Sequence, residues 1–490
     1  MAEKTTMRIV LAQSNLLVGD VLANTDHVIR NALAARDKQH ADLIAFPELT
    51  LTSYPPEDLL LRPSLQAMVD RCIERLCEEV RGIYLLVGHP EVMNGQRFNT
   101  ASLIYNGKVV AICRKHYLPN YSVFDEKRYF SPGDGYAVAN VNGISVGVTI
   151  CEDIWQPEPA RQASDAGAEL IININASPFH MGKGDEREQV VASRVQECGV
   201  PICYVNLVGG QDELVFDGES FVMDVDGHSC CRAPAFEEAM LPVDFSVQDG
   251  KLRPDAGQLT RRLSEQANVY QALVLGVRDY IEKTGFRGAI IGLSGGIDSA
   301  LTLAIAVDAI GAERVSAVMM PSRYTADMSL EDARQEAEAL GVAYQEISIE
   351  QPFAAFLDVL SEAFSGTEVD TTEENIQARC RGVILMALSN KQGQILLTTG
   401  NKSEMSVGYA TLYGDMAGGF APIKDIPKLL VYRLSEYRNS LVPVIPQRVI
   451  ERPPSAELAA DQKDEDSLPP YTILDPLLEG YIENDRSIDE

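Results

Sequence analysis

The stretch IGLSGGIDSALTLAIAV, residues 291–307, constrains the chain most. An apolar run of strand length meets a turn holding two glycines, and an apolar helical pattern follows. Glycines let a backbone approach a ligand closely, and the N–H groups that open a helix point at whatever sits there, so such a unit in a parallel sheet is an anion site. Ser294 and Ser299 can add hydroxyl donors. The turn is not G-x-x-x-x-G-K-[ST], because no lysine follows its glycines, nor is it G-x-G-x-x-G. An acid, Asp298, stands inside the cradle instead. A carboxylate beside phosphates calls for a cation between them, and magnesium is the expected one. A tight turn with no ligand is the alternative reading.

The flanking sequence alternates between the two periods. A helical pattern over 269–283 is followed by strand 289–293, helix 300–309, strand 315–319, helix 330–340 and strand 344–347. This alternation predicts a doubly wound parallel sheet, whose ligands bind at the carboxyl ends of its strands. Earlier in the chain, strand-length apolar runs occur at 7–12, 41–46, 84–88, 109–113, 144–150, 170–174 and 202–206. Many are β-branched and nearly unbroken, as strands buried on both faces tend to be. Helix-like stretches at 25–39 and 65–81 lie between some of them, so an α/β layered domain is expected here too. From Ser246 the sequence SVQDGKLRPDAGQLTRRLSE turns polar and loses periodicity. A linker over 246–268 is therefore expected between a domain of residues 1–245 and one of residues 269–490. A length of 490 residues suits two or three domains at roughly 150 residues each.

The halves differ chemically. All six histidines and eight of the nine cysteines precede Pro242. The cysteines form no C-x-x-C pair, which indicates neither a zinc ribbon nor a disulfide framework. A formal net charge of -29 repels phosphate polymers, so nucleic acid is not an expected partner. No apolar run reaches the roughly 18 residues of a membrane span, and the start MAEKTTMRIV lacks a signal-peptide core, so no membrane association and a cytoplasmic location are expected.

Three apolar runs of the first half stop at reactive side chains: ADLIAFPE at Glu48, KVVAICRK at Lys115 and GISVGVTIC at Cys151. Adjacent parallel strands would gather these ends on one rim. A free thiol is mostly protonated at neutral pH and needs a base, which Glu48 can be. Lys115 and the backbone N–H after Cys151 can stabilise the oxyanion formed when a carboxamide is attacked. His116 and His180 offer a Cys–His alternative, but Cys151 lacks the flanking glycines of a nucleophile elbow.

Ser-Gly-Gly-x-Asp-Ser after a strand resembles the pyrophosphate loop of N-type ATP pyrophosphatases, which cleave ATP between the α and β phosphates and activate a substrate as its adenylate. ENIQARCRG, LLTTGNKSEMSVGYATLYGD and IKDIPK look, in that order, like segments of NAD synthetases. FPELTLTSYPPEDLL, RKHYLPNYSVFDEKRYF and TICEDIWQP resemble the catalytic segments of the nitrilase-like glutaminase domain joined to many of them. The resemblance spans the chain and is to the glutamine-dependent NAD synthetases. It implies a nitrilase-like α/β sandwich followed by a doubly wound ATP pyrophosphatase domain. It also implies a ligase that makes NAD, AMP, pyrophosphate and glutamate from deamido-NAD, ATP, glutamine and water.

By motif position, Glu48, Lys115 and Cys151 would be the glutaminase triad, supported by Glu126, with Tyr121, Glu152, Ser177 and Lys183 binding glutamine. Ser177 has a second reading as a turn cap. Gly292, Leu293, Ser294, Gly295, Gly296, Ile297, Asp298, Ser299 and Thr399 would hold ATP. Asn375, Arg379 and Glu404 would face deamido-NAD, and Asp298 and Glu404 the magnesium. A homo-oligomer and a protected passage for ammonia are implied as well. Relatives continue past PPSAEL and DEDSLPPY with helical and basic sequence that contributes to the dinucleotide site, whereas this sequence stops at Glu490, so that site is expected to be incomplete if the chain is truncated. GMP or asparagine synthetases share the ATP loop, but the nitrilase-like half and the GNKSE segment speak against them. A scaffold without turnover would not need every catalytic side chain in place.

Overall fold

The structure is a computed structural model that describes residues 6–459 and 462–487. It divides into two compact units, Met1–Asn268 and Val269–Glu490.

Among the described residues, the first unit carries a seven-stranded and a six-stranded sheet. Edge to edge, the larger runs Lys251–Pro254, Ala239–Gln248, Thr6–Gln13, Leu43–Ala45, Tyr84–Met93, Gln96–Tyr105 and Lys108–Arg114. The smaller runs Ser229–Arg232, Phe221–Met223, Ile202–Asn206, Leu170–Asn175, Ile144–Ile150 and Ala137–Val141. Side chains alternate across a strand, and here both faces of the central strands are covered. Ile9, Leu11, Leu43 and Leu86 of one sheet share a core with Val146, Val148, Ile172 and Val205 of the other. On the opposite face of the larger sheet, Val10, Ala12, Ile44 and Leu85 pack on Val28, Ala32, Val69 and Leu76 of helices Val21–Gln39 and Pro63–Glu79. Beyond the smaller sheet, Ile171, Ile202 and Tyr204 pack on Ala160, Ala163, Val191 and Val195 of helices Pro157–Asp165 and Lys183–Cys198. The order of layers is helix, sheet, sheet, helix, which explains why the strands read as continuous apolar runs.

Two expectations are corrected here. Glu48, Lys115 and Cys151 do not sit at the ends of adjacent parallel strands. Glu48 and Lys115 follow strands of the seven-stranded sheet, with Tyr84–Met93 and Gln96–Tyr105 between them, and Cys151 follows Ile144–Ile150 of the six-stranded sheet. Their ends converge because two sheets stack face to face. The polar stretch from Ser246 is also not all connection: Ser246–Gln248 completes a long strand and Lys251–Pro254 pairs with it antiparallel across the turn at Asp249 and Gly250. Alternation of Phe245, Val247 and Leu252 with polar residues marks a sheet edge, where one face meets water.

The second unit contains a four-stranded sheet in the order Ala343–Glu346, Val315–Met319, Ala289–Gly292, Ile395–Leu397. Every pairing is parallel. The strand order turns back between Ala289–Gly292 and Ile395–Leu397, which opens a crevice at their carboxyl ends. The glycine turn enters helix Ile297–Ile310 on one side of that crevice, and residues 398–401 enter helix Lys402–Val407 on the other. No helix among the described residues is long and apolar enough to cross a membrane.

Candidate functional site

In the first unit a buried ammonium lies between two carboxylates. Lys115 Nζ donates to Glu48 Oε1 at 2.7 Å and to Glu126 Oε1 at 2.8 Å. All three side chains are shut off from water. Glu48 is fixed at both oxygens: Asn99 Nδ2 donates to Oε1 at 2.7 Å, and the Ala176 N–H donates to Oε2 at 3.0 Å. The backbone that carries Glu48 presses on strand Tyr84–Met93, where only a glycine fits, since a Cβ on Gly88 would collide with Pro47 O and Leu49 N. Tyr54 donates to Glu126 Oε1 at 3.1 Å, while Glu126 Oε2 is buried with no partner among the described residues.

The electrostatics follow from burial. Burial opposes the charge on Lys115, but Glu126 and Glu48 outweigh it and hold the ammonium well above its ordinary range. Burial pushes Glu126 up to about 7, against the pull of Lys115. Burial likewise pushes the Cys151 thiol well up; Glu48 adds to this and Lys115 opposes it. The resting sulfur is therefore a thiol that needs a base at the moment of attack.

Cys151 opens a short 3-10 turn, Cys151–Ile154, with φ at 45°. A non-glycine residue in that region is held by its surroundings and is common at functional turns. The sharp turn expected of a nucleophile elbow is thus present without its glycines. Of the neighbours proposed from sequence, Glu152 lies in this turn and Tyr121 is bonded to it, whereas Lys183 and Ser177 have other partners. Tyr121, largely exposed, donates to Glu152 Oε2 at 3.0 Å. Lys183 Nζ lies 4.1 Å from the ring centre of Trp155, four residues beyond Cys151. Ser177 is buried, and its hydroxyl accepts from Arg187 Nε at 3.1 Å, so it joins a side-chain network with Arg187, Asp217 and Asn206.

In the second unit a cavity of about 430 Å³ opens at the crevice, lined by Gly292, Leu293, Ser294, Gly296, Ile297, Asp298, Ser299, Thr399 and Glu404. Met320, Leu385 and Leu396 supply apolar walls. Gly295 has φ at 79°, and a Cβ there would strike Ser329 O, so the turn requires glycine at this position. The two serine hydroxyls are less free than the sequence suggested. Ser294 Oγ and Ser299 Oγ lie 3.1 Å apart, and Ser299 Oγ donates to Gly296 O at 2.9 Å, bracing the turn from within.

Lys428, which sequence reasoning left unassigned inside IKDIPK, is bonded to Asp298 Oδ2 and lies 3.3 Å from Glu404 Oε1. Burial opposes its charge, and Asp298 and Glu404 hold it charged regardless. Burial, reinforced by Asp298, pushes Glu404 up to about 7. Asn401 donates from its side chain to Asp298 Oδ1 at 2.9 Å and caps the helix that carries Glu404. Arg452, which also lines the cavity, donates to Gly295 O at 2.8 Å and to Ser329 Oγ at 2.9 Å and so ties down the glycine turn.

Asn375 and Arg379 do not line this cavity. Asn375 accepts from Thr411 Oγ1 at 2.7 Å and Arg379 donates to Leu412 O at 3.2 Å. From the same helix, Thr371–Gln392, Arg381 lines the cavity instead. Among the described residues no group of three or more histidine, cysteine or acidic side chains could hold a metal by itself.

A buried thiol beside a lysine held by two carboxylates in one unit, and a crevice entered by a glycine turn at the carboxyl ends of a parallel sheet in the other, suit a two-part enzyme of the amide-transferring class. Residues 8–253 match the carbon-nitrogen hydrolase family and residues 269–490 the NAD synthase family. The glutamine-dependent NAD(+) synthetase of Xanthomonas campestris is 49% identical over 99% of this chain and 89% of its own length. That of Acinetobacter baylyi is 47% identical over 98% of this chain and 89% of its own length. The solved structure of the Acinetobacter baumannii enzyme in complex with ADP superposes with a TM-score of 0.89 at 46% identity, covering 98% of this chain and 89% of that one. The chain belongs to the glutamine-dependent NAD(+) synthetase family.

Proposed function

We propose that the chain makes NAD from deamido-NAD, hydrolysing glutamine at Glu48, Lys115 and Cys151 to supply ammonia and spending ATP at the glycine turn to activate the acceptor. The observation that carries this reading is the buried ammonium of Lys115 shared by two carboxylates in the charge environment of Cys151. Cys151 Sγ attacks the carboxamide carbon while Glu48 takes the thiol proton. The oxyanion forms against Lys115 and the N–H of Glu152. Glu48 passes that proton to the amide nitrogen, so ammonia leaves as the thioester forms; water, giving up a proton to Glu48, then attacks the thioester, and glutamate departs as the proton returns to the sulfur. Tyr121, Glu152, Ser177 and Lys183 hold the glutamine, and Glu126 keeps the charge on Lys115.

In the crevice, the N–H groups that open helix Ile297–Ile310 hold the triphosphate. The carboxylate of deamido-NAD attacks the α phosphorus and pyrophosphate departs. Ammonia then attacks the acyl adenylate, giving the amide and AMP. Thr399 belongs to the nucleotide wall, and Asn375, Arg379 and Glu404 to the dinucleotide side. Asp298 and Glu404 together carry more negative charge than Lys428 balances, and a magnesium ion commonly takes one or two carboxylates plus substrate phosphates, so the donor set suits it. Bound there, the ion would neutralise charge on the departing pyrophosphate. A homo-oligomer and a cytoplasmic location are part of the same reading.

Incubation with deamido-NAD, ATP, magnesium and glutamine tests it. NAD, AMP, pyrophosphate and glutamate should appear in equal amounts. Conversion of ATP to ADP and phosphate would overturn the adenylation half.

A further inference from the structure

Glu48 and Lys115 belong to one sheet and Cys151 to the other, so their separation depends on how the two sheets are pinned at this end. Backbone pairing cannot do it, because hydrogen bonds of a sheet run within its own plane. Lys115 is fixed to its own side: its N–H donates to Asn99 O at 2.9 Å and its carbonyl accepts from the Gly133 N–H at 2.8 Å. Neither bond reaches the cysteine turn.

Asp153 bridges the gap. Its Oδ1 accepts from the N–H groups of His116 at 3.0 Å and Tyr117 at 2.9 Å, the two residues after Lys115. Its Oδ2 accepts from the N–H of Ile150 at 3.1 Å, the residue before Cys151. The side chain is 1% exposed, and among the described residues these three N–H groups are the donors to its carboxylate. The bond to Ile150 also closes the turn in which Cys151 adopts its positive φ, a conformation that persists only when neighbours over-determine it. A comparable tie holds Glu48, whose Oε2 accepts at 3.0 Å from the N–H of Ala176, the residue after strand Leu170–Asn175 of the opposite sheet. Cys113 Sγ, donating to Val148 O at 3.2 Å, is the weaker thiol contact across the same interface.

We infer that Asp153 is the positioning residue that sets the distance between the Lys115 ammonium and the Cys151 sulfur, one carboxylate serving as the cross-brace between the sheets. The inference rests on the glutaminase assignment above. Asp153 touches no reacting atom in this arrangement. Its loss lowers the rate of the step that needs Lys115 and Cys151 in register, and leaves glutamine recognition by Tyr121, Glu152, Ser177 and Lys183 in place.

The test uses the full chain with Asp153→Asn and Asp153→Ala, reading kcat and KM for glutamine, the ammonium-driven rate of NAD formation, and Tm. Asn keeps one acceptor and turns an N–H₂ toward a donor that had a carboxylate; Ala removes both acceptors. A misplacement near 1 Å costs on the order of a hundredfold in rate. The expected result is a glutamine-driven kcat down by roughly ten- to a hundredfold in Asp153→Asn and further in Asp153→Ala, with KM within threefold and the ammonium-driven rate unchanged. A kcat within twofold of the parent overturns the inference. So does a loss of glutamine-driven rate matched by equal losses of ammonium-driven rate and Tm, which marks a purely structural role. Cys151→Ala, run alongside, separates the two readings: if it keeps the glutamine-driven rate, the glutaminase assignment itself fails.

Discussion

Lys115 Nζ lies 2.7 Å from Glu48 Oε1 with both side chains fully buried, so removing Lys115 leaves the Glu48 carboxylate dry and without a counter-charge. Removing one partner of a buried pair costs about 3–5 kcal/mol, because the remaining charge stays dry and unpaired. Here two carboxylates, Glu48 and Glu126, would be stranded. Lys115→Met is expected to abolish glutamine-driven synthesis and to lower the unfolding free energy of the first unit by that order. Denaturant unfolding followed alongside the glutamine-driven rate checks both. A variant of parental stability would mean that the carboxylates are compensated by something other than Lys115.

Gly295 sets a second expectation, since its φ of 79° and the closeness of Ser329 O leave no room for a side chain. Gly295→Ala stores strain of about 1–3 kcal/mol in the turn or shifts its N–H groups. AMP formation should fall by roughly tenfold to a hundredfold with glutamine or ammonium as donor. Unchanged kinetics would remove the turn from the triphosphate site.

The pair Asp298 and Glu404, sharing Lys428, leads to a metal-dependence prediction. Chelation of divalent cations should stop AMP formation with either nitrogen donor, and magnesium should restore it. Asp298→Ala should stop AMP formation with either donor even at saturating magnesium. A full rate in that variant would take the ion away from this carboxylate.

Glu336 gives a stability prediction outside both sites. Both its carboxylate oxygens are buried without a partner among the described residues, and burial, with Asp332 adding to it, pushes the group from 4.5 up to about 8. The folded chain therefore keeps a proton that the unfolded chain releases, and stability falls as pH rises from about 4.5 to about 8. Glu336→Gln removes this slope. Denaturant melts of parent and variant at about pH 5 and pH 8 should show the balance moving toward the variant by on the order of a few kcal/mol. Parallel pH dependence in the two proteins would place a buried cation or water beside Glu336.

Much of this arrangement is legible in the sequence because burial on both faces leaves an unbroken apolar record. The runs at 144–150 and 202–206 coincide with the strands Ile144–Ile150 and Ile202–Asn206. Gln96–Tyr105 is not legible as a strand because RFNTAS interrupts its apolar character, and together with Tyr84–Met93 it separates Glu48 from Lys115 within their sheet. A run of residues shows where a strand ends but not which sheet it joins, so three reactive ends could be read while their placement on two sheets could not. Asp153 and Lys428 lay in quoted segments, TICEDIWQP and IKDIPK, yet their roles depend on partners 36 or 37 residues away in one case and 130 in the other. Arg381 rather than Arg379 meets the cavity because helical phase, invisible in the motif alone, decides which arginine of QARCR turns inward.

The most direct measurement compares nitrogen donors in Cys151→Ala. Glutamine-driven NAD formation should vanish while ammonium-driven formation proceeds at the parental rate, because the thiol makes ammonia and the crevice in the other unit consumes it. Loss of both activities, or retention of the glutamine-driven one, would contradict that division of labour.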